Sequence, residues 1–280
     1  MTGANSMTQL QHSVMTQVMI NTFHRVDQHV ATAVTDTAII DATSGTTMTV
    51  ALKLGDHLHI ANVGDSQTFV VSYSKTTTTT TDGRGAAAEE ADEEDGTVNI
   101  LYATRPDKPD LPDERQRILD NGGSLWLPPP TARGDQPPPR VYLEGLTDPV
   151  TNNTRNYVLA LSRSIGDAAA HAMAGVVADP MVASLQVSAF LDGDDHKQLF
   201  VFSASDGLLQ KMAPLGIANR LAASLYHQDK GSRGTVSPLE TIEGIILDAN
   251  EAWSKSRSVE NNELKDYRDD MTLTVVKVLH

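Results

Sequence analysis

The chain has 280 residues and a formal charge of −14; hydrophobic residues make up 40% and aromatics only 5%. That size allows one large domain or two small ones, built around a core that must be mostly aliphatic. Acidity of this order argues against nonspecific binding to nucleic acid or anionic membrane. The lack of cysteine excludes disulfides, thiol nucleophiles and cysteine-based zinc sites.

No stretch approaches the apolar length of a membrane span. The opening residues lack a basic region followed by an apolar core, so no secretory signal is expected. The expected location is intracellular, in cytoplasm or nucleus. Oligomeric state is not legible.

Between residues 4 and 44 there is neither glycine nor proline. Met15, Met19, Phe23, Val26 and Val30 recur at helical spacing, which predicts a long amphipathic helix with methionines as core filler. Ser44-Gly45 breaks it. Strand-like runs follow at Thr47 to Leu54, His57 to Val63 and Thr68 to Tyr73, separated by Gly55-Asp56 and Gly64-Asp65-Ser66. Gly-Asp between apolar runs predicts hairpins at both places. Residues 75–96 change in kind, to a threonine run, a Gly/Ala stretch and an acidic run. This composition predicts a disordered insertion.

Order is expected again at Val98 to Ala103. A short helix should follow, with Pro112, Asp113 and Glu114 in its first turn and Gly122-Gly123 at its end. The Pro-rich stretch at 128–139 should be an exposed excursion. Asn156 to Leu161 and Leu199 to Ala204 read as buried strands. Ile217, Leu221 and Leu225 mark a further helix. Another begins at Ser237-Pro238-Leu239-Glu240, a capping box, with Ile242, Ile245, Ile246, Ala249 and Trp253 as its apolar face. Thr272 to Leu279 reads as the last strand.

Two acidic motifs adjoin these apolar runs. Ser205-Asp206-Gly207 closes the strand that ends at Ala204, and Arg268-Asp269-Asp270-Met271-Thr272 opens the last one. Each by itself also reads as an ordinary turn. Brought to one rim, their carboxylates would suit a hard divalent cation, Mg²⁺ or Mn²⁺.

Further motifs fall in a recognisable order: Ser44-Gly45-Thr46-Thr47, Ala61-Asn62-Val63-Gly64-Asp65-Ser66, Lys108-Pro109, Glu114, Arg117-Ile118 and Gly122-Gly123. Then come Ser162-Arg163-Ser164-Ile165-Gly166-Asp167, Gly175-Val176-Val177-Ala178-Asp179-Pro180 and the two acidic motifs. The series resembles the metal-dependent protein phosphatase (PPM) family, the type 2C Ser/Thr phosphatases. The resemblance spans residues 13–280, with low-complexity insertions at about 75–96 and 128–139.

The resemblance implies an α+β fold of two packed antiparallel β-sheets flanked by helices, here N-terminally incomplete. It also implies hydrolysis of phosphoserine and phosphothreonine in a phosphorylated protein substrate by metal-activated water, with Mg²⁺ or Mn²⁺ as cofactor. Asp206 and Asp269 match metal ligands of the family. Gly207 and Asp270 are weaker candidates, Asp270 standing where the family has asparagine. The Gly-Asp pairs 64–65 and 166–167 are expected to be structural. Arg163 could either brace backbone carbonyls or contact substrate.

The family's Arg-x-x-Met-Glu/Asp segment and its Asp-Gly-His-Gly-Gly motif do not occur in these residues. With them go the phosphate-binding arginine, the bridging aspartate and the histidine proposed as general acid, so no catalytic residue is assigned. Pro106 and Gln210 stand where some members carry third-metal aspartates. The expectation is a truncated form of a true phosphatase. The alternative is a catalytically inactive pseudophosphatase acting as a protein-binding module.

Overall fold

In the computed structural model the described residues are 2–36, 42–75, 96–130, 134, 136–147, 153–191, 197–228, 236–255, 258–260, 263–265 and 268–279. The expected insertion lies almost wholly outside them. So does the acidic stretch at residues 192–195.

The chain opens with helix α1 (Thr2–Asp36), then strands β1 (Gly45–Thr46), β2 (Met48–Leu54), β3 (His57–Val63), β4 (Gln67–Lys75) and β5 (Gly96–Ala103). Helix α2 (Pro112–Asp120) precedes β6 (Ser124–Trp126), β7 (Arg140–Thr147), β8 (Thr154–Leu159) and β9 (Ile165–Gly166). Next are α3 (Ala168–Ala174), β10 (Met181–Gln186), α4 (Val187–Leu191), β11 (Lys197–Ala204) and α5 (Asp206–Leu209). Helices α6 (Pro214–Gln228) and α7 (Pro238–Ser254), the short strands β12 (Ser258–Glu260) and β13 (Glu263–Lys265), and β14 (Leu273–Val278) complete the chain. No helix among the described residues is long and apolar enough to cross a membrane.

Two compact units divide these elements, Met1–Thr68 with Thr104–Leu185, and Phe69–Ala103 with Gln186–His280. In the first, α1 lays Met19 and Phe23 into a cluster with Ala61, Val63 and Ile165, joined by Met15, Val26 and Val30. These are the residues whose spacing predicts that helix, and its other face leaves Val14 and Val18 exposed. The three-stranded order β10-β3-β2 puts β3 in the middle, so its side chains are buried on both faces from Leu58 onward. A second sheet, β6-β7-β8, packs Val141 and Leu143 against Ile118 of α2 and Ala170 and Ala174 of α3.

The second unit holds the four-stranded order β14-β11-β4-β5, antiparallel between β14 and β11 and between β4 and β5. Phe69, Val71, Phe200 and Phe202 of this sheet meet Ile217 and Leu221 of α6 and Ile245 and Ala249 of α7. Phe69 and Phe202 stack with ring centroids 4.7 Å apart. The capping box of α7 is formed in both directions: Ser237 Oγ accepts from Glu240 N, and Ser237 N donates to Glu240 Oε2.

Two expectations need correction. Gly55-Asp56 does join a hairpin, β2 to β3, but Gly64-Asp65-Ser66 does not, because β3 and β4 belong to different sheets. That turn is clamped by another segment: Gly64 N donates to Asp107 Oδ2, Asp107 N donates to Gly64 O, and Lys108 pairs with Asp65. Strand β8 is also not buried; it lies at the sheet edge beside β7, half-exposed or exposed along its length. The Pro-rich excursion is largely exposed where described, anchored by Gln136 Nε2 donating to the buried Pro128 carbonyl.

Candidate functional site at the tips of two paired strands

Strands β11 and β14 run antiparallel in register from Leu199↔Val278 to Ala204↔Leu273. The pairing delivers the end of one strand and the start of the other to the same rim. Past the last pair, Ser205 continues the contact. Its N–H donates to Thr272 O, while its hydroxyl donates to Asp270 O and accepts from Thr272 N. Asp206 then begins the one-turn helix α5 with Ser205 as its N-cap residue.

Gly207 allows the close approach. A Cβ there would lie 2.3 Å from Asp270 O and 2.9 Å from Asp269 Cβ, closer than real contacts permit. The Gly207 carbonyl is pinned from the other side by the buried Trp253 indole N–H at 2.8 Å. Lys211 Nζ sits 3.7 Å from the centroid of that tryptophan ring, a cation–π contact. Beside the rim is a hollow of about 260 Å³ between α7, at Ile246, Leu247 and Asn250, and the segment Arg268 to Met271. The Arg268 guanidinium is held there by Asn250 Oδ1 at 2.6 Å.

Three of the four candidate ligands are thus gathered with Gly207 at one place. Asp206 and Asp269 are half-buried and Asp270 is exposed. Asp206 Oδ2 accepts from Gln210 Nε2 at 2.9 Å, and Asp269 Oδ1 accepts from Asp270 N at 3.0 Å. Among the described residues no three or more His, Asp or Glu side chains form a metal-binding group. A two-metal centre therefore does not fit the residues described here. A single hard cation does fit the donor chemistry of Asp206 and Asp269, both oxygen ligands, provided water completes the shell.

The remaining motif residues serve the scaffold of the other unit. Glu114 is fully buried and receives Arg117, Arg163 and Arg105 at 2.6 to 2.8 Å. Burial pushes its carboxyl up, but the hydrogen bonds from Arg117 and Arg163 prevail and hold it down at about 2. Arg163 also donates to Asp179 O, and Arg117 to Gly175 O and Ser162 O. Arg163 is therefore a brace. Gly166 and Asp167 likewise shape the backbone: both have positive φ, and Asp167 Oδ1 accepts from the Tyr157 hydroxyl.

Asp107, to which the sequence reading gave no role, is fully buried in the same network. Burial pushes its carboxyl up to about 6, against Arg163 and the Gly64 N–H. The signal was present in the density of acidic and basic residues, Arg105, Asp107, Lys108, Asp113, Glu114 and Arg117, within a short segment.

Helices and antiparallel sheets, with carboxylates at the meeting tips of two neighbouring strands, make an α+β fold of the type 2C phosphatase kind. The family model of protein phosphatase 2C matches residues 4–219. The chain belongs to that family, whose members are generally metal-dependent protein Ser/Thr phosphatases.

Among curated relatives it is 27% identical over 216 residues to probable protein phosphatase 2C 73 of Oryza sativa subsp. japonica, covering 77% of this chain and 41% of that protein. To probable protein phosphatase 2C 12 of the same organism it is 32% identical over 168 residues, covering 60% of this chain and 33% of that one. The matches therefore span less than half the length of those relatives. The crystal structure of serine-threonine phosphatase 2C from Toxoplasma gondii superposes with a TM-score of 0.59 at 16% identity, over 96% of this chain and 70% of that one. At that identity the likeness speaks for the fold.

Proposed function

We propose that this chain is part of a Mg²⁺- or Mn²⁺-dependent protein Ser/Thr phosphatase acting on phosphoserine or phosphothreonine in protein substrates, inside the cell. The observation that carries the reading is the pairing of β11 with β14, which brings Asp206 and Asp269 to one rim in a chain of this family. Asp206 and Asp269 would hold one cation, with Gly207 and Asp270 contributing shape and charge beside it. When bound, such a cation supplies an acidified water and offsets phosphate charge.

The chain's own residues do the positioning. Ser205 ties the two backbones together, Trp253 fixes Gly207, and Gln210 restrains the Asp206 carboxylate. A chain of charge −14 repels a phosphorylated substrate at a distance, a repulsion that a cation at the rim, or a local arginine such as Arg268, would offset.

A second reading is favoured by one observation, the absence of a three-ligand group among the described residues. In that reading the chain is a pseudophosphatase that binds a protein partner without turnover.

Phosphate release from a phosphothreonine peptide, measured with and without Mn²⁺, separates the two. The phosphatase reading expects slow, Mn²⁺-dependent release from the 280-residue chain, abolished in Asp206→Ala. No release above the Mn²⁺-free background from either protein, with the peptide still bound, supports the binding module.

A further inference from the structure

In the unit that does not hold the strand tips, three histidines form a cluster that the phosphatase reading does not use. His57 and His59 lie on the same face of β3, two residues apart. Helix α1 sets His12 over them. The His12 and His57 ring centroids are 4.2 Å apart, edge to face; His12 and His59 are 5.8 Å apart, and His57 and His59 6.2 Å.

His59 is buried and its Nδ1 shares a hydrogen bond with Ser184 Oγ at 2.7 Å. His12 Nδ1 is buried with no hydrogen-bond partner. Burial holds the His59 pKa below its ordinary value, and the His12 and His57 rings push it further down.

Among the described residues of the elements packed here, few charged groups could neutralise a proton gained by the cluster. Residues 1–11 carry no titratable side chain. The next such group on α1 is His24, paired with Asp179. Asp27 lies about four turns along α1 from His12 and accepts from Gly166 N. Strand β10 has none, and β2 has only Lys53, which donates to Gly55 O. The β2–β3 turn adds the exposed Asp56.

The two sides of the cluster are unequally held. Strand β3 is paired with β2 along its whole length, from His57↔Leu54 to Val63↔Met48. The apolar cluster that docks α1 on the sheet begins, among the described residues, at Met15. Among the described side chains, His12 stands one turn ahead of the nearest of those apolar anchors, Met15.

We propose that His59, with the His12 and His57 rings packed beside it, is a proton-operated latch, which holds the turn of α1 around His12 on β3 when neutral and releases it on protonation. The sign follows from the burial: a histidine favoured in its neutral form contributes stability above its unfolded pKa of about 6.5. That contribution is lost as pH falls from there toward the lowered folded value. The segment from Met15 onward stays docked, because its contacts are apolar.

Amide hydrogen exchange on the 280-residue chain tests this, compared as protection factors near pH 7.5 and pH 5.5, on either side of the ordinary histidine pKa of about 6.5. Protection over residues 8–16 is expected to fall by at least about tenfold, while that over residues 19–30 changes by less than about twofold. His12→Gln and, on the strand side, His57→Gln are each expected to flatten the pH dependence. If neither variant folds, the wild-type profile decides: a confined loss supports the latch, and a uniform loss along α1 overturns it. Unchanged protection in wild type, or equal pH profiles in wild type and a folded variant, also overturns it.

Discussion

Gln210 donates its side-chain amide to Asp206 Oδ2 at 2.9 Å, so one oxygen of the foremost candidate ligand is satisfied from within the protein. An amide donor and a cation compete for the same lone pairs. Replacing Gln210 by Asp removes the donor and adds a fourth carboxylate near the rim, beside those of Asp206, Asp269 and Asp270. Gln210→Asp is expected to strengthen Mn²⁺ binding by about tenfold, a change readable by calorimetry.

Gly207 has room for no side chain. Gly207→Ala places a methyl against the Asp270 carbonyl and Asp269 Cβ, and backbone on both sides must move. We expect a loss of about 1–3 kcal/mol, read as a lower urea midpoint, and weaker Mn²⁺ binding because the two tips are forced apart.

Glu114 is the hub of three guanidinium groups, with no exposed surface of its own. Glu114→Gln keeps the shape but leaves the three cations without their shared anion. Breaking a buried pair from one side costs about 3–5 kcal/mol, and the partial exposure of Arg105 and Arg117 puts this case at the lower end. Chemical denaturation of the two proteins at neutral pH measures the difference.

Asp107 predicts a pH effect. Its folded pKa, near 6, stands above the ordinary value of 3.8, so the folded state binds the extra proton between those limits. Its contribution to stability is therefore greatest at the acidic end of that window and falls as pH rises through about 6. Asp107→Asn is expected to remove a change on the order of 3 kcal/mol over that interval. Denaturant midpoints for both proteins at a series of pH values give it by subtraction, which cancels the histidine contribution of opposite sign.

Several elements were legible because one periodicity dominated them. Met15, Met19 and Phe23 repeat every fourth residue and are the ones α1 presents to its sheet. Ser237 and Glu240 announce α7 through a purely local pair of hydrogen bonds. The sheet switch after β3 was not legible, since Gly64-Asp65 reports a turn and says nothing of which strand comes next. The turn is held instead by the distant Asp107 carboxylate, which accepts from Gly64 N. At the candidate site, Asp206 and Asp269 could be named from the ends of apolar runs. The tie from Gln210 to Asp206 needed the helical turn of α5, and the burial of Glu114 needed three arginines from separate segments.

The most direct test is calorimetric titration of Mn²⁺ into wild type, Asp206→Ala and Asp269→Ala. If the two side chains share a cation, wild type shows one weak site and each substitution abolishes it. Binding of equal strength in all three proteins would contradict the shared site, and with it the functional role given to the tips of β11 and β14.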